Sequence, residues 1–146
     1  MPNDKFIAGV LDDPFFDLPP PKSLDRNAFA FGNIGLPDFS VPDGAATLSA
    51  LTVEAVARIL PHLPAVPKAW IVAGGGARNR TLMKMLARRL APATVETADD
   101  AGWSADALEA QAFAFLAVRT LNNLPITFPK TTGVHSPLRG GVIARP

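Results

Sequence analysis

Three successive glycines, Gly74, Gly75 and Gly76, follow the apolar run Ala69-Trp70-Ile71-Val72-Ala73 and lead through Ala77-Arg78-Asn79 into a helical stretch. Glycines at such a junction let the backbone turn sharply and leave no side chain in a ligand's way, while the next helix's N-terminus offers N–H donors to a phosphate. The spacing predicts a nucleotide site. A Walker A loop ends in Gly-Lys-Ser/Thr, and no such tripeptide occurs. The dinucleotide fingerprint wants glycine where Asn79 stands, although Glu96 lies at a plausible distance for an acid that binds a ribose, so that reading is weakened but stands. A plain glycine-rich turn is the third reading, and the backbone entropy lost by three glycines counts against it.

Glu109 is the acid that stands out. Its same-face neighbours Ala112, Phe113 and Leu116 set an early-helix carboxylate along an apolar stripe, where it either meets a ligand or bonds to backbone or an arginine and orients its helix. Arg78, Arg80, Lys84, Arg88 and Arg89 form the densest basic run. For Lys84, Arg88 and Arg89 a solvated helix face is expected, whereas Arg78 and Arg80 lie near enough to the glycine turn to add positive potential. Asp99 and Asp100 read as turn formers, and Asp12 and Asp13 have no positional argument for catalysis. His62 and His135 lie among prolines and loop residues, too far apart for a local metal motif. No catalytic residue and no metal ligand is assigned.

Composition removes several other chemistries. The 146 residues contain no cysteine, which excludes disulfides, thiolate nucleophiles, iron–sulfur clusters and cysteine zinc sites. Fourteen basic against thirteen acidic side chains give a formal charge of +1, so no broad field attracts nucleic acid or an anionic membrane. With 48% hydrophobic residues and a mean hydropathy of +0.18 the chain can build a core, and no apolar run approaches the roughly 18 residues of a membrane span. A soluble, cytoplasmic protein is expected.

Proline placement suggests the elements that hold these residues. Ten of the fifteen prolines fall in residues 1–67, four from Pro125 onward, and only Pro92 between Lys68 and Leu124. The division expected is a proline-rich connecting segment over 1–67 with one helix, an α/β core over 68–124, and a loop and tail over 125–146. The one helix follows the turn signal Pro42-Asp43-Gly44, carries Leu48, Leu51, Ala55, Val56, Ile59 and Leu60 at helical spacing, and ends at Pro61. Residues 69–73 read as a central parallel strand buried on both faces. Residues 79–90 form an amphipathic helix and 94–97 a second strand. Ser104 would cap a helix over 105–121 that is apolar nearly all round and so should be covered on most sides. Two strands make a poor sheet, so an open strand edge and an exposed apolar patch are expected, covered by self-association, by the proline-rich segment, or by a missing lobe.

Taken in order, Pro19-Pro20-Pro21-Lys22-Ser23, the Ala73-to-Asn79 turn, Glu109-Ala110-Gln111-Ala112-Phe113-Ala114-Phe115-Leu116-Ala117, Leu124-Pro125, Thr131-Thr132-Gly133 and Gly140-Gly141 resemble the anhydro-N-acetylmuramic acid kinases of the sugar kinase, Hsp70 and actin superfamily. The resemblance covers nearly the whole chain. It departs at Asp25 and Asn27, where glycine and glutamate would flank Arg26. It implies the C-terminal part of a ribonuclease-H-like lobe with a β-α-β-α core, in a family of longer, two-lobed chains. Their first phosphate loop and aspartate base would precede the matched part. Gly74, Gly75, Gly76 and Asn79 then correspond to an adenosine-binding turn and Glu109 to a sugar-binding glutamate. ATP with magnesium and an amino sugar are the implied ligands of the complete enzyme, in which water opens the 1,6-anhydro ring as ATP phosphorylates O6. A free-standing nucleotide-binding or interaction module without catalysis is the alternative, and a dinucleotide-binding fragment a more remote one.

Overall fold

A computed structural model describes residues 1–29, 34–35 and 37–144, apart from the side chain of Arg26. Five α-helices and two strands occur among them: α1 (Asp4–Leu11), α2 (Val41–Ala57), β1 (Ala69–Val72), α3 (Arg80–Arg89), β2 (Thr94–Thr97), α4 (Leu108–Leu121) and the short α5 (Pro129–Thr132). The chain is therefore mixed α/β. Strands β1 and β2 pair in parallel, Ala69 opposite Thr94 through Val72 opposite Thr97, with α3 as the connection between them.

The first third holds two α-helices where one was expected. Asn3 caps α1 by accepting the Phe6 amide at 2.9 Å, and Asp4 favours its first turn, so a helix fits between Pro2 and Pro14 despite the proline density. Helix α2 starts ahead of the Pro42-Asp43-Gly44 signal, with those residues inside its first turn. Ser40 accepts the Asp43 amide at 3.3 Å and donates its hydroxyl to the Asp43 carboxylate at 2.8 Å, and proline is tolerated where its missing N–H has no helical partner.

Helix α2 sits between two apolar clusters. Ile7, Leu11 and Phe16 pack toward Ala50, Leu51 and Ala55, while Val53 and Ala57 pack with Leu86 and Leu90 of the α3 region against Trp70, Val72 and Val95 of the sheet. Buried Thr47 accepts the Asn3 amide at 3.0 Å and so joins α1 to α2. Arg89 is exposed as expected, and there it pairs across helices with Glu54 of α2 at 2.8 Å. Lys84 and Arg88 are exposed as expected. Lys22 of the proline motif donates to the Phe15 and Phe16 carbonyls at 2.7 and 2.9 Å, fastening the segment to the first cluster.

Strand β1 is covered on one face only. Trp70 and Val72 face the cluster while Ala69 and Ile71 are exposed, Ile71 at 42%, which corrects the expectation of a strand buried on both sides. A continuous apolar run prepares a strand for two covered faces, but these residues supply layers on one. Among the described residues β1 pairs with β2 alone, so its other edge is open.

Candidate functional site at the glycine turn

Strand β1 delivers the chain to Gly74, whose φ of +79° is the left-handed region that glycine adopts without a Cβ clash. Residues Gly75–Arg78 then make one tight turn, and Asn79 begins α3. The Asn79 side-chain oxygen accepts the Thr81 and Leu82 amides at 3.0 and 3.1 Å, and its carbonyl accepts the Met83 amide at 3.0 Å. This corrects the expectation that the helix N-terminus offers its donors to phosphate, because Asn79 takes two of them itself. The amides of Gly75 and Gly76 donate to no described residue.

From the other side comes the segment after β2. The Asp100 carboxylate accepts the Thr97 hydroxyl at 2.7 Å and the Thr97 amide at 3.2 Å, in that order the causes that hold its pKa below the ordinary 3.8. The Asp99 carboxylate accepts the Ala105 amide at 3.0 Å. Both are turn formers, as expected. No side chain caps α4, where Ser104 was expected to: Asp99 ties down the turn ahead of the helix, and Ser104 contributes its carbonyl, accepting the Ala107 and Leu108 amides at 3.1 Å each. Residues 105–107 remain a turn, and α4 proper starts at Leu108.

These two segments face each other across a cleft of about 410 Å³, lined by Ala73, Gly74, Gly75, Arg78, Ala105, Asp106, Leu108 and Glu109. The glycine turn and Glu109, more than thirty residues apart in sequence, therefore share one cavity. A Cβ on Gly74 or Gly75 would meet no atom within 4 Å, so the space above them is open, whereas Gly76 faces Leu82 at 3.5 Å and belongs to the helix packing. Glu109 makes no hydrogen bond or ion pair with any described residue, so the reading in which it orients its helix through backbone or an arginine finds no support. Asp106 and Arg78 form an ion pair from one wall to the other, a link that sequence spacing did not reveal. Gly76 and Asn79 shape the turn without lining the cleft, and Glu96, on β2 opposite Ile71, does not line it either.

Donor chemistry sorts the ligands this cleft suits. Two carboxylates, one of them paired to Arg78, discourage a polyphosphate beside them but accept hydroxyl and amino groups, and flat open glycine backbone accommodates a ring. Among the described residues no group of three or more histidine or acidic side chains is placed to hold a metal ion. No helix among them is long and apolar enough to cross a membrane. His135 is exposed and His62 half-buried, both away from the cleft. Arg26 opens a short turn, and its side chain lies outside the described residues.

Fold and cleft together define an α/β protein in which a strand, glycine turn and helix start wall one side of an open cleft. The profile of the anhydro-N-acetylmuramic acid kinase family matches residues 3–146, and the chain belongs to that family. It is 58% identical over 145 residues to the anhydro-N-acetylmuramic acid kinase of Nitrobacter winogradskyi, covering 99% of this chain and 39% of that protein. The Rhodopseudomonas palustris BisB18 protein of the same name is also 58% identical, with the same coverage, and the one from Methylobacterium nodulans is 54% identical over 99% of this chain and 38% of its own length. The chain thus spans about two fifths of the length of these curated relatives.

Proposed function

We propose that this chain supplies the nucleoside-binding wall of an ATP-dependent anhydro-N-acetylmuramic acid kinase and belongs to a ribonuclease-H-like lobe of that enzyme. The observation that carries the reading is the shared cleft: open glycine backbone at Gly74 and Gly75 on one side and, on the other, the Glu109 carboxylate, which has no partner among the described residues. Family membership supports this reaction for the complete enzyme, and the open cleft supports a binding role for this part of it. Gly74 and Gly75 would lie under the adenosine, with Gly76 and Asn79 holding the turn in shape, and Glu109 would accept a hydrogen bond from a hydroxyl of the amino sugar. ATP, when bound, supplies the phosphoryl group, and magnesium would arrive with it.

Phosphoryl transfer depends on positioning, on charge stabilisation around the phosphates, and on an aspartate to activate the nucleophile. Neither a first phosphate loop nor an aspartate placed as base has been identified in these residues, and Asn79 occupies donors that a phosphate would use. The purified 146-residue chain is therefore expected to show no ATP turnover dependent on 1,6-anhydro-N-acetylmuramic acid. A coupled assay for ADP release tests this, and sugar-dependent turnover by this chain alone would refute it.

A further inference from the structure

One ion pair crosses the candidate cleft. Arg78, at the end of the glycine turn, donates through Nη2 to Oδ1 of Asp106 on the opposite wall, and Asp106 lies in the turn just ahead of α4. Glu109 follows three residues later, in the first turn of α4, and lines the same cavity. A single guanidinium therefore has two carboxylates to choose between. Of the residues that line the cleft Arg78 alone is basic, so the acid it does not take is left without a cation there.

The pair is too exposed to serve mainly as a strut. The Arg78 and Asp106 side chains are 74% and 80% exposed, and ion pairs so placed hold weakly and exchange readily. What its loss changes most is where the guanidinium goes, and Glu109 is the other acid in the cavity. Glu109 does not need that cation to keep its charge in place. No side chain caps α4, whose N-cap is Ala107, and a carboxylate in the first turn is favoured by the unpaired amides of a helix start. Left alone, both oxygens of that carboxylate are open to hydroxyl donors, whereas a guanidinium fork would occupy them.

We propose that Asp106 is a positioning residue, which holds the Arg78 guanidinium on itself and off Glu109 so that the Glu109 carboxylate stays open to a hydroxyl of the ligand. The inference deepens the proposed function and rests on its reading of Glu109 as the acceptor of a sugar hydroxyl. The division of one cation between two acids exists before any ligand binds, and it is tested without one.

The carbon-13 and nitrogen-15 labelled chain is studied at neutral pH by following the side-chain carboxyl carbon of Glu109, with the backbone amides showing that each variant keeps the fold. In Asp106→Asn the Glu109 resonance should shift, and the shift should shrink as salt is raised, because an exposed pair between Arg78 and Glu109 is screened. Asp106→Glu should return the resonance to its position in the parent chain. Adding Arg78→Gln to Asp106→Asn should also return it, since the guanidinium is then gone. A Glu109 resonance that does not move in Asp106→Asn would overturn the proposal. So would a shift that survives in the double variant, which would make Asp106 a tie between the walls and not a keeper of Arg78. Failure of ADP or sugar to bind the chain leaves this inference standing, and an unmoved Glu109 leaves the nucleotide reading standing.

Discussion

Gly75 and Asn79 lie four residues apart and do opposite work. Gly75 has an ordinary φ and open space where a Cβ would go, so Gly75→Val should fold normally while its branched side chain enters the cleft. The expected outcome is an unchanged thermal midpoint with ADP binding lost, checked by differential scanning fluorimetry beside a ligand titration. Asn79→Ala removes a cap that serves two amides and should cost about 0.5–2 kcal/mol of unfolding free energy, measured by urea denaturation. Asp100 gives a pH signature. Its carboxylate is favoured in the folded state by the Thr97 hydroxyl and amide, so its contribution is present above the ordinary pKa of 3.8 and is lost as pH falls through the lower folded value. Asp100→Asn should therefore be less stable than the parent chain at neutral pH, with the difference closing in strong acid. A difference that stays constant down the pH series would contradict that role. At this scale the glycine turn, Glu109 and the two turn-forming aspartates were legible from residue type and position. The Asn79 cap and the Arg78–Asp106 pair were not, because both depend on where a side chain swings once its helix has formed.

Among the elements, α2 and α3 carry the stability. Leu86 is buried in the cluster they share with the sheet, and Leu86→Ala should cost roughly 2–5 kcal/mol, read from the same denaturation experiment. The tail is held to α4 by closeness of backbone. A Cβ on Gly141 would lie 2.9 Å from Thr120 Cγ2, at a residue whose φ is +86°. Gly141→Ala should weaken that docking by on the order of 1–3 kcal/mol, seen as faster hydrogen exchange at the Ile126 and Leu138 amides. The amphipathic helix over 79–90 could be read from periodicity because it turns Leu86 and Leu90 into the core and leaves Lys84 and Arg88 exposed, whereas the strand at 94–97 was read from its residue types alone. The leading segment misled, since its prolines flank α1 and open α2 instead of preventing either. The β1 run and α4 were read as buried, because their sequences suit a fuller core than these residues build.

The whole molecule is one well-packed side and one bare side. Helices α2 and α3 cover the inner face of the sheet and α1 packs on α2, while the outer face, the open edge of β1 and α4 all meet solvent. The cleft between the glycine turn and the start of α4 is small, at about 410 Å³, and offers few contacts, so affinity for nucleotide should be weak. Pro21 reaches the tail, since a Cβ on Gly133 would meet its Cγ at 3.7 Å, which brings the proline motif and the closing glycine motif together as no local pattern could foretell. That the nucleoside end of an adenine nucleotide lies over the Gly74–Gly75 backbone in the cleft that Glu109 also lines is the central claim. Titrating the isotope-labelled chain with ADP and, separately, with NAD while following backbone amide resonances tests it most directly. The account expects saturable shifts centred on residues 73–78 and 105–109, absent in Gly75→Val, with ADP binding more tightly than NAD; shifts centred elsewhere, or tighter binding of NAD, would contradict it.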